Sequence, residues 1–241
     1  WAQERGRRKL PEARTFEAVA NKWRSHDTGT ERKGVTNRNM YLGANHSLSV
    51  SPPKDADTKA FASYVSDPAN PVPYRKRPIS PSFIPTSTWS TWLVDDQRFA
   101  QERPDVLSWQ SAPLTEDVVV SGAIAAHLFA ATTGSDADWI VKVIDVYPDQ
   151  FADPKLAGYE IMVANDVLRA RFRNGLKHPK AITPNHGDEY VVNLHTQDSR
   201  FPKAHRTVVQ VQISLVPLRY RNPTTFSPNP LIAKYPDLQT A

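Results

Sequence analysis

Cysteine is absent from the 241 residues. No disulfide can hold this fold, and no thiol can serve as a nucleophile. Glycine is scarce, at nine residues, and no Gly-x-Ser-x-Gly elbow occurs among them. That elbow needs small residues on both sides of the serine so that the chain can make a strained turn. Ser121-Gly122 lies inside an apolar run and lacks the first glycine, so a nucleophilic serine is not expected. No apolar run approaches the roughly 18–20 residues that a membrane-crossing helix needs, and no membrane partner is expected. The N-terminus shows no basic segment followed by an apolar stretch and a small-residue cleavage site. Trp1 instead opens onto Ala-Gln-Glu-Arg-Gly-Arg-Arg-Lys, which reads like the middle of a longer protein and predicts a fragment or a processed chain. No two histidines stand at i, i+2 or i, i+4, so no zinc site is written locally. Carboxylates cluster at Asp136, Asp138, Asp145, Asp149 and Asp153, but without the glycine and acidic spacing of a calcium loop. They read as turn chemistry. No metal and no cofactor are expected.

Proline is abundant by contrast, at 21 residues. Proline breaks helices and central strands and collects in loops and edges. Together with many short β-rich runs, it suggests a sandwich with long connections. The net charge is +5, from 30 basic and 25 acidic residues. The basic residues are scattered, apart from Arg5–Lys9 and Arg75–Arg77. This reads as a solvated surface with two basic loops, and no nucleic-acid partner is expected.

Strand character begins at Arg14–Ala20 and Lys22–Ser25, where Thr15, Phe16, Val19 and Trp23 favour extended backbone. Met40–Gly43 and Ser47–Val50 flank a Gly-Ala-Asn-His turn and predict a hairpin. Residues 66–85 carry Pro68, Pro71, Pro73, Pro78, Pro81 and Pro85. A structureless connection of that length is unusual in a compact domain. Tyr74, Ile79, Phe83 and Ile84 give it side chains to bury, so an ordered arm over the sheet or over a partner is favoured over a flexible linker. Val118–Thr132, with Gly122 near its start, predicts two strands or one bent strand. Trp139–Ile144 predicts a strand partly buried on both faces. Tyr159–Ala164, Tyr190–His195 and Val209–Leu215 follow. The last alternates most cleanly, with Val209, Val211, Ile213 and Leu215 on an apolar face and Gln210, Gln212 and Ser214 on a polar one. The spacing of these strands points to an antiparallel sandwich.

The remaining candidate groups have bland and functional readings. His127, inside Ala125–Phe129, reads as a partly buried histidine with one hydrogen-bond partner rather than a general base. His195 and His205 fall at a strand end and a strand start, and His26, His46, His178 and His186 fall in loops. Trp89, Trp92, Trp109 and Trp139 read as packing residues. A carbohydrate-binding sandwich that stacks sugars on exposed tryptophans is the alternative reading of the whole chain.

The segments Arg103-Pro-Asp-Val-Leu107, Gly134-Ser-Asp-Ala-Asp-Trp139 with Lys142–Pro148, Asn193-Leu-His-Thr196, Ala204-His-Arg206, Val209–Gln212 and Arg221-Asn-Pro223 together resemble one family. It is the cocaine esterase and X-Pro dipeptidyl-peptidase group of serine hydrolases, in its C-terminal jelly roll. Asp67–Pro73 and Trp92–Arg98 are most similar to the α-amino-acid ester hydrolase branch, and Leu10–Ala13 through Trp23-Arg24 resembles the entry into the domain. The resemblance implies an all-β, jelly-roll β-sandwich with long Pro-rich loops and few short helices. It implies residues 1–13 as an entry segment from an upstream catalytic domain, 14–232 as the sandwich with its arm at 66–85, and 233–241 as a C-terminal tail. In the family, an α/β-hydrolase domain carries the serine, aspartate and histidine that act through an acyl-enzyme. None of those positions has a counterpart here, so no catalytic residue is carried over. The implied partner is the α/β-hydrolase domain or chain of the same enzyme, in a homo-oligomer of the parent. The face that meets it is expected around Trp89 and Trp92 and at Arg219, Tyr220 and Arg221.

Overall fold

The structure is a computed structural model that describes residues 10–29, 33–53 and 60–229. The basic stretch Arg5–Lys9, most of the entry segment and the tail at 233–241 lie outside the described residues. Ten strands and one short helix carry the fold: β1 (Ala13–Glu17), β2 (Lys22–His26), β3 (Tyr41–Leu42), β4 (Leu48–Ser49), α1 (Arg98–Gln101), β5 (Leu107–Gln110), β6 (Val118–Ala130), β7 (Asp138–Val146), β8 (Glu160–Arg169), β9 (Asp188–Phe201) and β10 (Arg206–Gln212). It is an all-β sandwich of the jelly-roll class. One layer is the antiparallel sheet β5-β10-β7-β8, and the other is the antiparallel pair β6-β9. The hairpins β1-β2 and β3-β4 sit at the margins, where Ala18 bridges Ser199 and Ser47 bridges Gln110.

The core lies between the layers. Tyr190, Val192 and Leu194 of β9 alternate inward, each about 1% exposed, and meet Trp139 and Val141 of β7 and Val211 of β10. A Leu or Val side chain sealed this way contributes about 1.5–3 kcal/mol. The alternation in β9 then changes phase, with Ser199 and Phe201 buried where Thr196 is exposed. The register against β6 shifts between Ala123 and Ala125, and His195 takes a φ of 63°. Gly122, at φ 119°, occupies the same bend. The stretch from Val118 is therefore one strand bent at a bulge, and its glycine supplies the left-handed backbone there.

The four-stranded sheet is buried on both faces. Its outer face carries Ile140 and Lys142 of β7, which directly oppose Gln212 and Gln210 of β10. The Pro-rich segment 66–85 lies on this face. Val72 and Tyr74 are buried, and they exchange backbone hydrogen bonds with Val216 at 2.9 and 3.0 Å. The amide-and-hydroxyl face expected of β10 is present, and it is sealed from solvent. Gln210 and Gln212 are fully buried, and the strand stops at Gln212, before Ile213–Leu215. Alternation alone cannot tell a solvated polar face from one roofed by another segment.

A strap at 216–229 closes the end of the sandwich by returning to Gly134–Asp138. The Ser135 and Asp136 amides both donate to the Thr224 carbonyl, at 2.9 and 3.0 Å. A Cβ on Gly134 would collide with that same carbonyl. Gly134→Ala is therefore expected to lower stability by about 1–3 kcal/mol through forced backbone shifts. Urea unfolding measures it, and a variant as stable as the wild type would refute the close approach.

Candidate docking surface

The two segments expected at an interface converge on the outer face of the four-stranded sheet. Trp89 and Trp92 lie in a short 3-10 segment, Trp89–Val94. They are half-buried rather than presented to solvent: both rings pack on Tyr74, at 5.8 and 5.7 Å between centroids. Leu218, next to Arg219, joins the same cluster with Ile140 and Leu215. What this neighbourhood exposes instead is Phe83 at 98%, Leu93 and Val94 at 52%, and Ile84 at 41%.

Arg219 and Arg221 are exposed, and Tyr220 is half-exposed beside them. The Arg169 guanidinium stacks on the Tyr220 ring, 4.4 Å from its centroid, and donates to its hydroxyl at 2.5 Å. Arg221 donates to the Pro68 carbonyl at 2.8 Å, which ties the strap to the arm.

Two buried ionic assemblies hold this surface in place. At the strap, Arg171 donates to Asp136 at 2.7 Å and to the Ser227 carbonyl at 2.6 Å. Arg169 grips Asp138 through two nitrogens, at 2.7 and 2.8 Å, and Asn222 donates to the same carboxylate at 2.7 Å. Asp136 and Asp138 are almost fully buried, so they do more than the turn chemistry read for them. The signal was in the sequence. Two aspartates spaced i, i+2 at the start of one strand mirror two arginines spaced i, i+2 at the end of the next, and antiparallel register sets Asp138 opposite Arg169.

The second assembly lies beneath α1. Lys142, 1% exposed, donates to the Gln97 side-chain oxygen Oε1 at 2.9 Å. Glu160 is also buried and faces Asp96, Arg98 and Lys142. Burial pushes Lys142 down to about 8, against the pull of Glu160. Burial pushes Glu160 up to about 7, and the Asp96 charge adds to this while Arg98 and Lys142 oppose it. The Tyr159 hydroxyl donates to the Val94 carbonyl at 2.6 Å, and the Gln97 amide donates to the Glu160 carbonyl at 2.9 Å. The exposed Leu93 and Val94 are thus carried on a turn bolted to β7 and β8.

Several histidines are engaged in cross-ties. His127 is exposed on the outside of β6 and pairs with Glu189 at 2.8 Å, so the expectation of partial burial is corrected while the single partner holds. Its neighbours point inward because the strand alternates. His195, in mid-strand rather than at a strand end, pairs with Asp166 at 2.7 Å. His205 is buried against Asp145 at 2.9 Å, and burial raises that carboxyl against the pull of the imidazole. His26 closes β2, not a loop, and is buried. Its Nε2 lies 2.8 Å from the Thr15 hydroxyl, which donates to Asp198. Trp109 and Trp139 are core residues at 8% and 4% exposure. With Trp89 and Trp92 turned inward, these four form no sugar-stacking platform. Among the described residues, no group of three or more His, Asp and Glu side chains is placed to hold a metal ion, and no helix is long and apolar enough to cross a membrane.

Fold and surface together define an accessory β-sandwich, a domain that spends its ionisable groups on cross-ties and presents apolar residues outward. The chain belongs to the family of X-Pro dipeptidyl-peptidase C-terminal non-catalytic domains, whose model matches residues 5–226. It is 29% identical over 234 residues to the cocaine esterase of Rhodococcus sp. (strain MB1 Bresler), a match covering 90% of this chain and 36% of the esterase. Among solved structures it resembles an aminopeptidase from a marine sediment Thaumarchaeota archaeon, with 42% identity, a TM-score of 0.91 and coverage of 95% of this chain and 37% of that one. It also resembles an α-amino acid ester hydrolase, with 42% identity, a TM-score of 0.89 and coverage of 95% and 38%. The chain therefore spans little more than a third of the length of these relatives.

Proposed function

We propose that this chain is the accessory sandwich of a serine hydrolase of the α-amino-acid ester hydrolase type, docked on an α/β-hydrolase domain that performs acyl transfer. One observation carries the reading: 42% identity extends over 95% of the chain to such a hydrolase, which is far longer. The aminopeptidase neighbour, at the same identity, is a hydrolase named for an amide substrate. The shared chemistry is attack on an α-amino acyl group, by ester or amide hydrolysis. The exposed apolar residues Phe83, Ile84, Leu93 and Val94 support the docking role. Exposed apolar patches mark interaction surfaces. In the parent the sandwich serves packing against the catalytic domain, a border for the substrate cleft, and contacts within an oligomer.

The 241-residue chain alone is expected to hydrolyse an activated α-amino-acid ester no faster than buffer does. The polypeptide that joins it to its hydrolase domain is expected to turn that ester over. Both are read by product release at matched concentration. Turnover by the isolated chain far above buffer would overturn the proposal.

A further inference from the structure

The β1-β2 hairpin is built inside out. Its polar side faces the sandwich. Glu17 is fully buried, receives Arg24 and Arg200 at 2.7 Å each, and lies beside the Thr15, His26 and Asp198 contacts. Its aromatic side faces away. Phe16 and Trp23 are directly opposed across the two strands, pack edge to face at 5.3 Å, and remain 43% and 63% exposed. Burying carboxylate and imidazole while leaving two aromatic rings in water reverses the usual partition of side chains. The turn adds to the inversion. Val19 is 52% exposed and holds a φ of 69°, a left-handed conformation that a β-branched residue rarely adopts.

The Arg14 guanidinium lies over the Trp23 ring at 5.4 Å. Among the described residues, Arg14 has a ring contact and no ion pair. The aromatic pair therefore carries a cation at its edge. It fits a partner surface with an apolar hollow and carboxylates around it.

We infer that the Phe16–Trp23 face of this hairpin is the primary seat of the catalytic domain, an apolar surface with an acidic rim that covers both rings. The inference rests on the docking reading above and assigns it a second contact, distinct from the Leu93–Val94 neighbourhood. The chain order favours this occupant over a second copy. The family is a C-terminal one, so the rest of a relative's length precedes the sandwich. The hairpin is the first described element after that junction. A tethered partner meets the nearest surface at high effective concentration, so a modest patch suffices.

Hydroxyl-radical footprinting tests it, reading Phe16 and Trp23 with Phe83 and Leu93 as companions, in the isolated chain and in the polypeptide that includes the hydrolase domain. Phe16 and Trp23 are expected to be reactive in the isolated chain and about tenfold protected in the longer polypeptide. If Phe83 and Leu93 are protected there while Trp23 stays reactive, the hairpin assignment is lost and docking stands. If all four stay reactive, the docking reading itself is lost. If protection of Trp23 in the isolated chain rises with its own concentration, a second copy is the occupant and the inference is overturned.

Discussion

Asp136→Ala is expected to lower the stability of the sandwich by about 3–5 kcal/mol, because it strands a buried guanidinium. Asp136 is fully buried and Arg171 only 3% exposed. The carboxylate meets both the Arg171 side chain, at 2.7 Å, and the Arg171 amide, at 3.3 Å. Removing it leaves the guanidinium with the Ser227 carbonyl and the face of Phe226, 4.7 Å from the ring centroid. Neither neutralises the charge. A native stability of about 5–15 kcal/mol leaves little margin for such a loss. Asp136→Ala/Arg171→Met is expected to recover part of it, since no charge then lies buried without a partner. Urea unfolding of the two variants measures both the cost and the recovery. A cost under 1 kcal/mol would show that water reaches Arg171 and that the strap is not sealed. The strap would loosen first around Phe226 and Ser227, which Arg171 holds, and faster amide exchange at residues 222–227 would report this.

Lys142→Met/Glu160→Gln is expected to be more stable than the wild type by about 1–4 kcal/mol near pH 7.5. Two raised or lowered pKa values set the window. Glu160 is pushed from 4.5 up to about 7 in the folded chain. Its contribution is present in full below the lower value and is lost as pH rises through the higher one. Lys142 is pushed from 10.5 down to about 8. Its contribution is present in full above the upper value and is lost as pH falls through the lower one. Both losses coincide between pH 7 and 8, where each group is mostly charged and buried. The advantage of the double variant should shrink towards pH 5, where Glu160 regains its proton, and towards pH 10, where Lys142 gives its proton up. Gln97 loses its donor from Lys142, which trims the gain. Lys142→Met alone should push the Glu160 carboxyl higher still. Chemical unfolding at pH 5, 7.5 and 10 decides the matter. A double variant weaker than the wild type at pH 7.5, or a difference that does not vary with pH, would refute the account.

Both experiments concern charges that the pattern of the sequence hid to different degrees. Lys142 stands in Trp139–Val146, a run otherwise almost wholly apolar apart from Asp145. A strand with that composition is buried on both faces, so its lysine must be buried too. Its partner Glu160 opens the next strand, and nothing local connects the two. Gln210 and Gln212 misled for a related reason. Period-two alternation reports which residues share a face, while solvent on that face depends on whether another segment covers it. Here the segment at 66–85 does so, from more than 120 residues earlier in the chain. Trp89 and Trp92 were legible as aromatic anchors, but the direction of their rings was set by Tyr74 and Leu218. The hairpin at Ala13–His26 was legible as two strands. Its inversion was not, because that depends on Asp198 and Arg200 of β9 supplying polar partners.

The order of residues determined by itself that the chain is an antiparallel sandwich, since proline and turn spacing fix where extended segments begin and end. It also determined that the family motifs lie in their expected order. Tertiary structure alone decided which polar groups are sealed inside and which aromatic residues are left outside. Those outcomes depend on long-range coverage, and an exposed pair such as Phe16 and Trp23 differs from a buried one only in what folds over it.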